Sequence, residues 1–129
     1  MSTRKAINPQ TLGAARVPLS HGVAVGNLVF VSGTTPFKPG TRDMAPDFEG
    51  QMRQVMTNIG TILAAAGSSF ERVVKVNVIL VDIGNFKKMN EIYRTYFKEG
   101  DFPARTTIGA QLATPGMMLE IECVAETGP

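Results

Sequence analysis

The strongest pattern of apolar and polar positions lies between residues 46 and 67. Pro46 and Asp47 open this segment and Gly67 follows it, which is typical of a helix with a proline in its first turn, acids at the positive end of its dipole and a glycine stop. Apolar side chains recur at steps of three and four residues, at Phe48, Met52, Val55, Met56, Ile59, Ile62, Leu63 and Ala66. Polar residues lie on the other faces, at Arg53, Gln54, Thr57 and Asn58. The pattern predicts one amphipathic helix of about five turns.

Shorter apolar runs predict strands on either side of this helix. Residues 23–25 and 28–32 are rich in β-branched and aromatic side chains and are separated by Gly26-Asn27, which predicts a hairpin with a tight turn. Further strands are predicted at residues 73–81, 106–112 and 117–125, and a second helix at residues 85–98. The apolar stripe of that second helix is formed by Phe86, Met89, Tyr93, Tyr96 and Phe97.

The predicted order, ββ-α-β-α-ββ, is that of an α+β layer fold with one mixed sheet and two helices on one face. Residues 1–21 hold at most a short strand, which would be the sixth. Alternation in the strand at residues 73–81 places Val73, Lys75, Asn77, Ile79 and Val81 on one face and Val74, Val76, Val78 and Leu80 on the other. Two helices cover only one face, and a small domain rarely leaves apolar sheet in water. We therefore expect the open face to pack against further copies of the chain.

Composition restricts the class of protein. The 129 residues fit a single domain, and 13 Lys and Arg against 11 Asp and Glu give a formal net charge of +2. The basic residues are scattered, so nucleic-acid binding is not expected. One cysteine, Cys123, excludes an internal disulfide and fits a reducing compartment. The sequence has no apolar core of a signal peptide near residue 1 and no membrane-length apolar run, so we expect a cytoplasmic protein without a membrane partner.

Arg105 and Glu120 form the candidate catalytic pair. Arg105 follows the loop Phe102-Pro103-Ala104 at the start of a strand, where a guanidinium offers a planar, bidentate fork that suits a carboxylate. Glu120 lies fifteen positions later, in an alternating strand in which half of the side chains must be buried. Such a pair could hold a small acid and transfer a proton, or it could be an ion pair that joins two adjacent strands.

Other candidates have a structural explanation beside a functional one. Ser32-Gly33 either ends a strand or lets a ligand approach the backbone closely. His21, the only histidine, is more typical of a surface or capping residue than of a catalyst, and the alternation around Cys123 predicts a buried, inert thiol. Met52 and Met56 fit a helix core. The sequence contains no phosphate-binding loop, dinucleotide-binding glycine motif or serine hydrolase motif.

Taken in order, these segments resemble the RidA/YjgF family of enamine/imine deaminases over residues 18–125. The resemblance is carried by Val29-Phe30-Val31-Ser32-Gly33, Leu63-Ala64-Ala65-Ala66-Gly67, Val74-Lys75-Val76 with Val81-Asp82, Met89-Asn90-Glu91-Ile92-Tyr93, Phe102-Pro103-Ala104-Arg105-Thr106 and Leu119-Glu120-Ile121-Glu122. The last two segments, at this spacing, are the most specific to the family.

The resemblance implies a chorismate-mutase-like fold that assembles as a homotrimer, with the sheets forming a central barrel and the sites lying in clefts between subunits. It implies that Arg105 binds the substrate carboxylate and that Glu120 positions the attacking water. Further positions that match the lining of the family's pocket are Ser32, Gly33, Asn90 and the backbone at Thr107.

Two candidate substrate-binding positions, Leu19 and Thr107, depart from the family pattern. The deaminase-active branch usually has tyrosine at the position of Leu19, in a Gly-Pro-Tyr run where this chain has Val17-Pro18-Leu19. The position of Thr107 is often cysteine or valine-like in the family. These departures point to a side branch that acts on a larger unsaturated amino acid such as 2-aminomuconate.

The predicted reaction is hydrolytic deamination of a 2-imino acid, or its enamine tautomer, to the 2-keto acid and ammonia. Arg105 would hold the carboxylate, while Glu120 would take a proton from water and return one to the nitrogen. An imine is already electrophilic, so the chemistry requires no metal and no cofactor. Two other classes are considered: a ribonuclease, which the single histidine and weak charge disfavour, and a non-catalytic, chaperone-like trimer that binds small acids through Arg105.

Overall fold

The structure is a computed structural model and describes residues 3–128. Its strands are β1 (Lys5–Ile7), β2 (Gly22–Val25), β3 (Leu28–Thr34), β4 (Val73–Leu80), β5 (Ala104–Gly109) and β6 (Leu119–Glu126), and its α-helices are α1 (Phe48–Ala65) and α2 (Phe86–Tyr93). The strands form one six-stranded sheet in the order β1-β2-β3-β6-β4-β5, in which only the β4–β5 pair is parallel. This arrangement confirms the predicted mixed sheet, and β1 is its short N-terminal strand.

Helix α1 covers the centre of one sheet face. Asp47 is its N-cap and accepts a hydrogen bond from the backbone N–H of Gly50 at 3.2 Å, so Pro46 precedes the helix instead of lying in its first turn. Gly67 follows the helix with φ of +77°, a conformation that favours glycine. Met52 and Met56 are buried in the core as predicted.

Two polar side chains of α1 are also buried, Gln51 and Asn58, and the assignment of Asn58 to an outer face was wrong. The Gln51 amide donates to the carbonyls of Ala45 and Gly116, both at 3.0 Å, and its oxygen accepts the backbone N–H of Met118 at 2.8 Å. Because each amide has backbone partners, its burial is compensated. Helical spacing alone does not reveal such partners, since they come from loops distant in sequence.

The register of β4 corrects one predicted face. Simple alternation places Val74 on the buried face with Val76 and places Val73 on the other face. In the structure Val73 is buried and Val74 is exposed. The pairing of β4 with β6 shifts between Val73 and Lys75, and such a bulge turns the residues before it to the opposite face. Beyond the shift, the predicted faces are correct, with Val76, Val78 and Leu80 in the core.

The C-terminal elements differ in length from their predictions. Helix α2 ends at Tyr93 and continues as a short 3-10 turn at Arg94–Tyr96, and Phe86 of the predicted apolar stripe is exposed. Strand β5 begins and ends earlier than residues 106–112, because Ala104 and Arg105 already pair with β4. Strand β6 begins at Leu119, two residues later than predicted.

The sheet face opposite the helices is open in the single chain. Phe30 of β3 and Ile108 of β5 are about half exposed there, and Ile79 and Val124 lie on the same face, half-buried. Glu120 and Glu122 of β6 lie on this face, because every second residue of the strand from Leu119 to Ala125 points into the core. Within residues 3–128, no helix has the length and apolar character needed to cross a membrane.

Candidate active site

Glu120 lies near the start of β6, and its carboxylate reaches Gly33 near the end of β3. A methyl group built on Gly33 would overlap Oε1 of Glu120, so the carboxylate occupies the space that any other residue at position 33 would take. No positive φ constrains Gly33, so glycine is required here for this close approach and not for backbone conformation. Glycine at this position is therefore explained by the contact with Glu120 and not by the end of the strand, since β3 continues to Thr34. Approach of a ligand to this backbone stays a prediction.

A β-bulge produces this contact. Val31 pairs with Cys123 and Thr34 pairs with Ile121, so Ser32 and Gly33 together lie opposite a single residue of β6. Bulges bend a strand and redirect its side chains, and they are common next to active sites. The Ser32 hydroxyl donates to the Ser20 carbonyl at 2.6 Å, and its N–H donates to the His21 carbonyl at 2.9 Å. Ser32 therefore holds the bulge against the preceding loop.

The surroundings of Glu120 stabilise its protonated carboxyl form relative to the ionised carboxylate. Burial raises the pKa of the Glu120 carboxyl above its usual range, and the charge of Glu122, two residues along the same face, raises this pKa further. A carboxyl group with a raised pKa is a stronger base once it has ionised. Glu120 is therefore suited to exchange protons with water or a substrate nitrogen.

A cavity of about 440 Å³ opens beside Glu120 at the end of the sheet. Its lining includes Leu19, Ser32 and Gly33, three of the predicted binding residues. His21 also lies on this wall, and its Nε2 is 3.0 Å from the Gly13 carbonyl, to which the protonated nitrogen donates. His21 thus fixes a loop, in agreement with its predicted structural role.

The cavity walls are loops that α1 holds in place. The buried Asn58 amide donates to the carbonyls of Thr35 at 3.1 Å and Phe37 at 2.9 Å. The loop after β3 is joined to the N-terminal loop by a hydrogen bond from the Gly40 N–H to the Leu12 carbonyl at 3.3 Å. Sequence analysis did not identify Asn58 as a residue that shapes the site. The indication that the sequence offered was a polar residue on the apolar side of α1.

Arg105 lies elsewhere, between β5 and helix α2. Its Cζ atom is 4.9 Å from the Tyr93 ring centroid and 5.8 Å from the Phe86 ring centroid, and Nη1 is 4.0 Å from Met89 Sδ. Cation–π contacts with two rings restrict the orientation of the guanidinium plane. Within residues 3–128 Arg105 has no acidic partner, so its hydrogen-bonding fork is available for an anion.

Two further predicted residues share the Arg105 region. Asn90 is half-buried on α2, and its spacing from Phe86 and Tyr93 places it on the helix face that lies over Arg105. Thr107 is on the same face of β5 as Arg105, and its Oγ1 is buried without a hydrogen-bond partner among the described residues. The Tyr93 hydroxyl is also buried without a partner, and burial raises its pKa to about 12, although the Arg105 charge lowers that pKa.

Arg105 and Glu120 lie on opposite faces of the sheet. Arg105 is aligned with Val76, which is buried on the helix side, whereas Glu120 is aligned with Ile79 on the open side. Strand β4 lies between their strands, so the interpretation as an ion pair between adjacent strands was wrong. The described ion pairs join Arg53 to Glu49 and Arg94 to Glu99. One chain therefore presents two separate groups of site residues, one around Glu120 and one around Arg105.

Cys123 takes no part in either group. It is buried in the core, and burial raises the pKa of its thiol to about 12, with a smaller contribution from Glu122. A thiol with such a pKa is almost entirely protonated at neutral pH and is a poor nucleophile. The prediction that Cys123 is buried is confirmed, and its lack of reactivity stays a prediction.

The chain has close relatives among known proteins. A family model described as Endoribonuclease L-PSP matches residues 10–127. A Mus musculus protein named 2-iminobutanoate/2-iminopropanoate deaminase is 37% identical over 127 residues, covering 98% of this chain and 93% of the mouse protein.

Solved structures agree with this relationship. RidA from the Antarctic bacterium Psychrobacter has a TM-score of 0.88 at 35% identity and covers 95% of this chain and 98% of its own. E. coli TdcF with bound serine has a TM-score of 0.87 at 32% identity and covers 96% of this chain and 99% of its own. Matches of this extent in sequence and in fold show that the chain belongs to the RidA/YjgF family, whose family model is described as Endoribonuclease L-PSP.

Proposed function

We propose that the protein hydrolyses 2-imino acids, or their enamine tautomers, to 2-keto acids and ammonia. The observation that carries this proposal is the half-buried Glu120 carboxyl on a cavity wall, in contact with Gly33 and with a raised pKa. Relatives named as imine deaminases at 37% identity support the reaction, and the bound serine of TdcF supports a small amino-acid-like ligand.

The reaction needs one proton acceptor and one carboxylate clamp. Glu120 accepts a proton from water as the water oxygen forms a bond to the carbon of the protonated imine, and the C=N π electrons move to nitrogen, which gives a neutral, tetrahedral carbinolamine. Glu120 then gives this proton to the carbinolamine nitrogen. The C–N bond breaks as the C=O bond forms, and the hydroxyl proton passes to Glu120 and leaves with ammonia as ammonium, which releases the keto acid and restores the carboxylate. Arg105 binds the substrate carboxylate with its planar fork and places the imine carbon next to the water.

We further propose that each site forms between two copies of the chain in a homotrimer. Arg105 and Glu120 lie on opposite sheet faces, so a substrate held by both needs them from different copies. The open face, with half-exposed Phe30 and Ile108, is the surface that such an assembly would cover. Light scattering is expected to give three times the 13.9 kDa chain mass, and a monomer would remove the shared site.

Mixing two inactive variants tests the shared site directly. Arg105→Ala and Glu120→Gln chains are co-expressed and purified as mixed assemblies, and ammonia release from freshly generated 2-iminobutanoate is measured. In a trimer with one site per interface, about a quarter of the sites of an equal mixture combine native Arg105 with native Glu120, and activity returns to that extent. The control is Arg105→Ala mixed with the double variant, which has no native Arg105 and restores nothing.

The outcomes of these assays separate the candidate functions. Lack of restored activity in the mixture would place both residues in one chain and contradict the shared site. If the parent protein binds 2-oxobutanoate but does not accelerate ammonia release, it is a small-acid-binding protein, and the proposed reaction is wrong.

A further inference from the structure

The cavity beside Glu120 carries an excess of positive charge. Arg16, Lys38 and Arg42 all contribute to its lining, and among the described lining residues Glu120 is the only carboxylate opposing them. None of the three cations takes part in the ion pairs of residues 3–128, which are Arg53–Glu49 and Arg94–Glu99. Several cations on one concave wall attract an anion more strongly than the same charges on an open surface.

The loop that carries two of these cations is well defined. Lys38 donates its N–H to the Asp43 carbonyl at 2.9 Å, and its carbonyl accepts from the N–H of Thr41 at 3.0 Å and from the Thr41 hydroxyl at 2.9 Å. The Arg42 Cζ lies 5.2 Å from the Phe37 ring centroid, and Phe37 is fixed through the bond from Asn58 to its carbonyl. Because the loop is held in this way, less entropy is lost when its cations bind an anion.

In the single chain the cavity is also larger than a three- or four-carbon acid requires. Its volume of about 440 Å³ lies in the range of pockets that hold much larger ligands, about 300–1,000 Å³. Leu19, which is smaller than the tyrosine usual at this position in the deaminase-active branch, lies on this wall together with Val17. Space and positive charge therefore occur together, on the side of the site away from the chain's own Arg105 group.

We infer that Arg42, Lys38 and Arg16 bind a second carboxylate of the substrate, so that the protein prefers dicarboxylic 2-imino acids to those with a neutral side chain. This inference rests on the proposed deaminase function for the position of the first carboxylate, at Arg105 of a neighbouring copy. The reacting carbon then lies beside Glu120, and the side chain of the substrate extends along the cavity towards the cationic loop.

A matched pair of substrates tests the preference. An amino-acid oxidase generates 2-iminoadipate and 2-iminohexanoate in the assay, which differ only in a terminal carboxylate or methyl group. The parent is expected to favour 2-iminoadipate in kcat/KM, and Arg42→Gln narrows this ratio by up to about fivefold, as expected for one exposed charge pair. Removing Lys38 as well, in the Arg42→Gln/Lys38→Gln variant, narrows the ratio further, with Arg16 as the one remaining cation of the three. Lys5→Gln on β1, which does not line the cavity, leaves the ratio unchanged.

A binding measurement separates this inference from the proposed reaction. Calorimetry with the keto acids 2-oxoadipate and 2-oxohexanoate is expected to show tighter binding of the dicarboxylate by the parent and a clearly smaller affinity difference in the double variant. If no imine is turned over but this binding pattern is found, the deaminase proposal fails and the second anion site stands. Equal affinity of the parent for both keto acids, or an unchanged preference in the double variant, would overturn the inference.

Discussion

The Glu120 carboxylate lies against Gly33, in the space where a side chain at position 33 would begin. The bulge at Ser32 and Gly33 brings β3 close enough for this contact. Since the overlapping atom is the end of a flexible side chain, a larger residue at position 33 would displace the carboxylate at little cost to folding. The residue type at position 33 therefore determines where the carboxylate of the proposed base, Glu120, lies.

Gly33→Ala tests this link. We expect the variant to fold with nearly unchanged thermal stability but to lose most of its activity, because Glu120 can no longer reach its position at the cavity wall. Gly109→Ala is the matched control, since it is also a strand glycine without positive φ and its added methyl group would make only ordinary contacts. Thermal melts and initial rates of imine hydrolysis check both variants, and full activity in Gly33→Ala would contradict the role of the contact.

Glu120→Gln separates binding from chemistry. The amide keeps the shape and can hydrogen-bond water, but it cannot accept the proton, so kcat is expected to fall by about two to four orders of magnitude. Keto-acid ligands should bind at least as well as in the parent, because a negative charge has been removed. Glu122→Gln is the control on the same strand face and should lose much less activity. Equal losses in the two variants would indicate that the pair is structural.

The pH dependence of kcat/KM reports the state of Glu120. As a general base it must be ionised, so the rate rises as the pH rises through its pKa, and the raised pKa moves this limb above the range of an ordinary glutamate. Glu122 contributes to the raised pKa through its charge, so the limb should move to lower pH in Glu122→Gln. A limb that stays in place or moves upward in this variant would show that another group controls the rate.

Arg105→Lys tests the carboxylate clamp. Lysine keeps the charge but loses the planar fork and most of the contact with the Tyr93 and Phe86 rings. We expect kcat/KM to fall by about ten- to a hundredfold, the range for a lost hydrogen bond to a charged group. Arg94→Lys, in an exposed ion pair with Glu99, serves as the control and should retain the parent rate. Parent-like turnover in Arg105→Lys would contradict the clamp.

The sequence predicted the fold where periodicity was strong and unbroken. The stripe of α1 and the alternation of β6 determine which side chains enter the core, and both predictions are confirmed. The faces of Val73 and Val74 were wrong because a bulge shifts the register, and a bulge has no fixed sequence pattern. The burial of Asn58 was missed because its partners are loop carbonyls 21 and 23 residues away.

The site was predicted as a set of residues but not as an arrangement in space. Leu19, Ser32, Gly33 and Glu120 do come together, Arg105 and Thr107 share one face of β5, and helical spacing places Asn90 on the α2 face that carries the Arg105 contacts. The separation of the two groups depends on the strand order, since β4 lies between β5 and β6 and fixes which side chains share a face. Alternation within one strand cannot give this relationship, because it does not say which strands are neighbours.

Gln51 and Asn58 lie seven residues apart on α1, on one side of the helix, and between them they anchor both loops that flank the cavity. Loop segments usually open independently, with exchange of their amide hydrogens at low free-energy cost. Here the Met118 N–H and residues 35–37 can open only if the Gln51 or Asn58 side chain loses the hydrogen bonds that compensate its burial. The two walls should therefore exchange together with the helix, as one cooperative unit, and the cavity should be as long-lived as the core on which it rests.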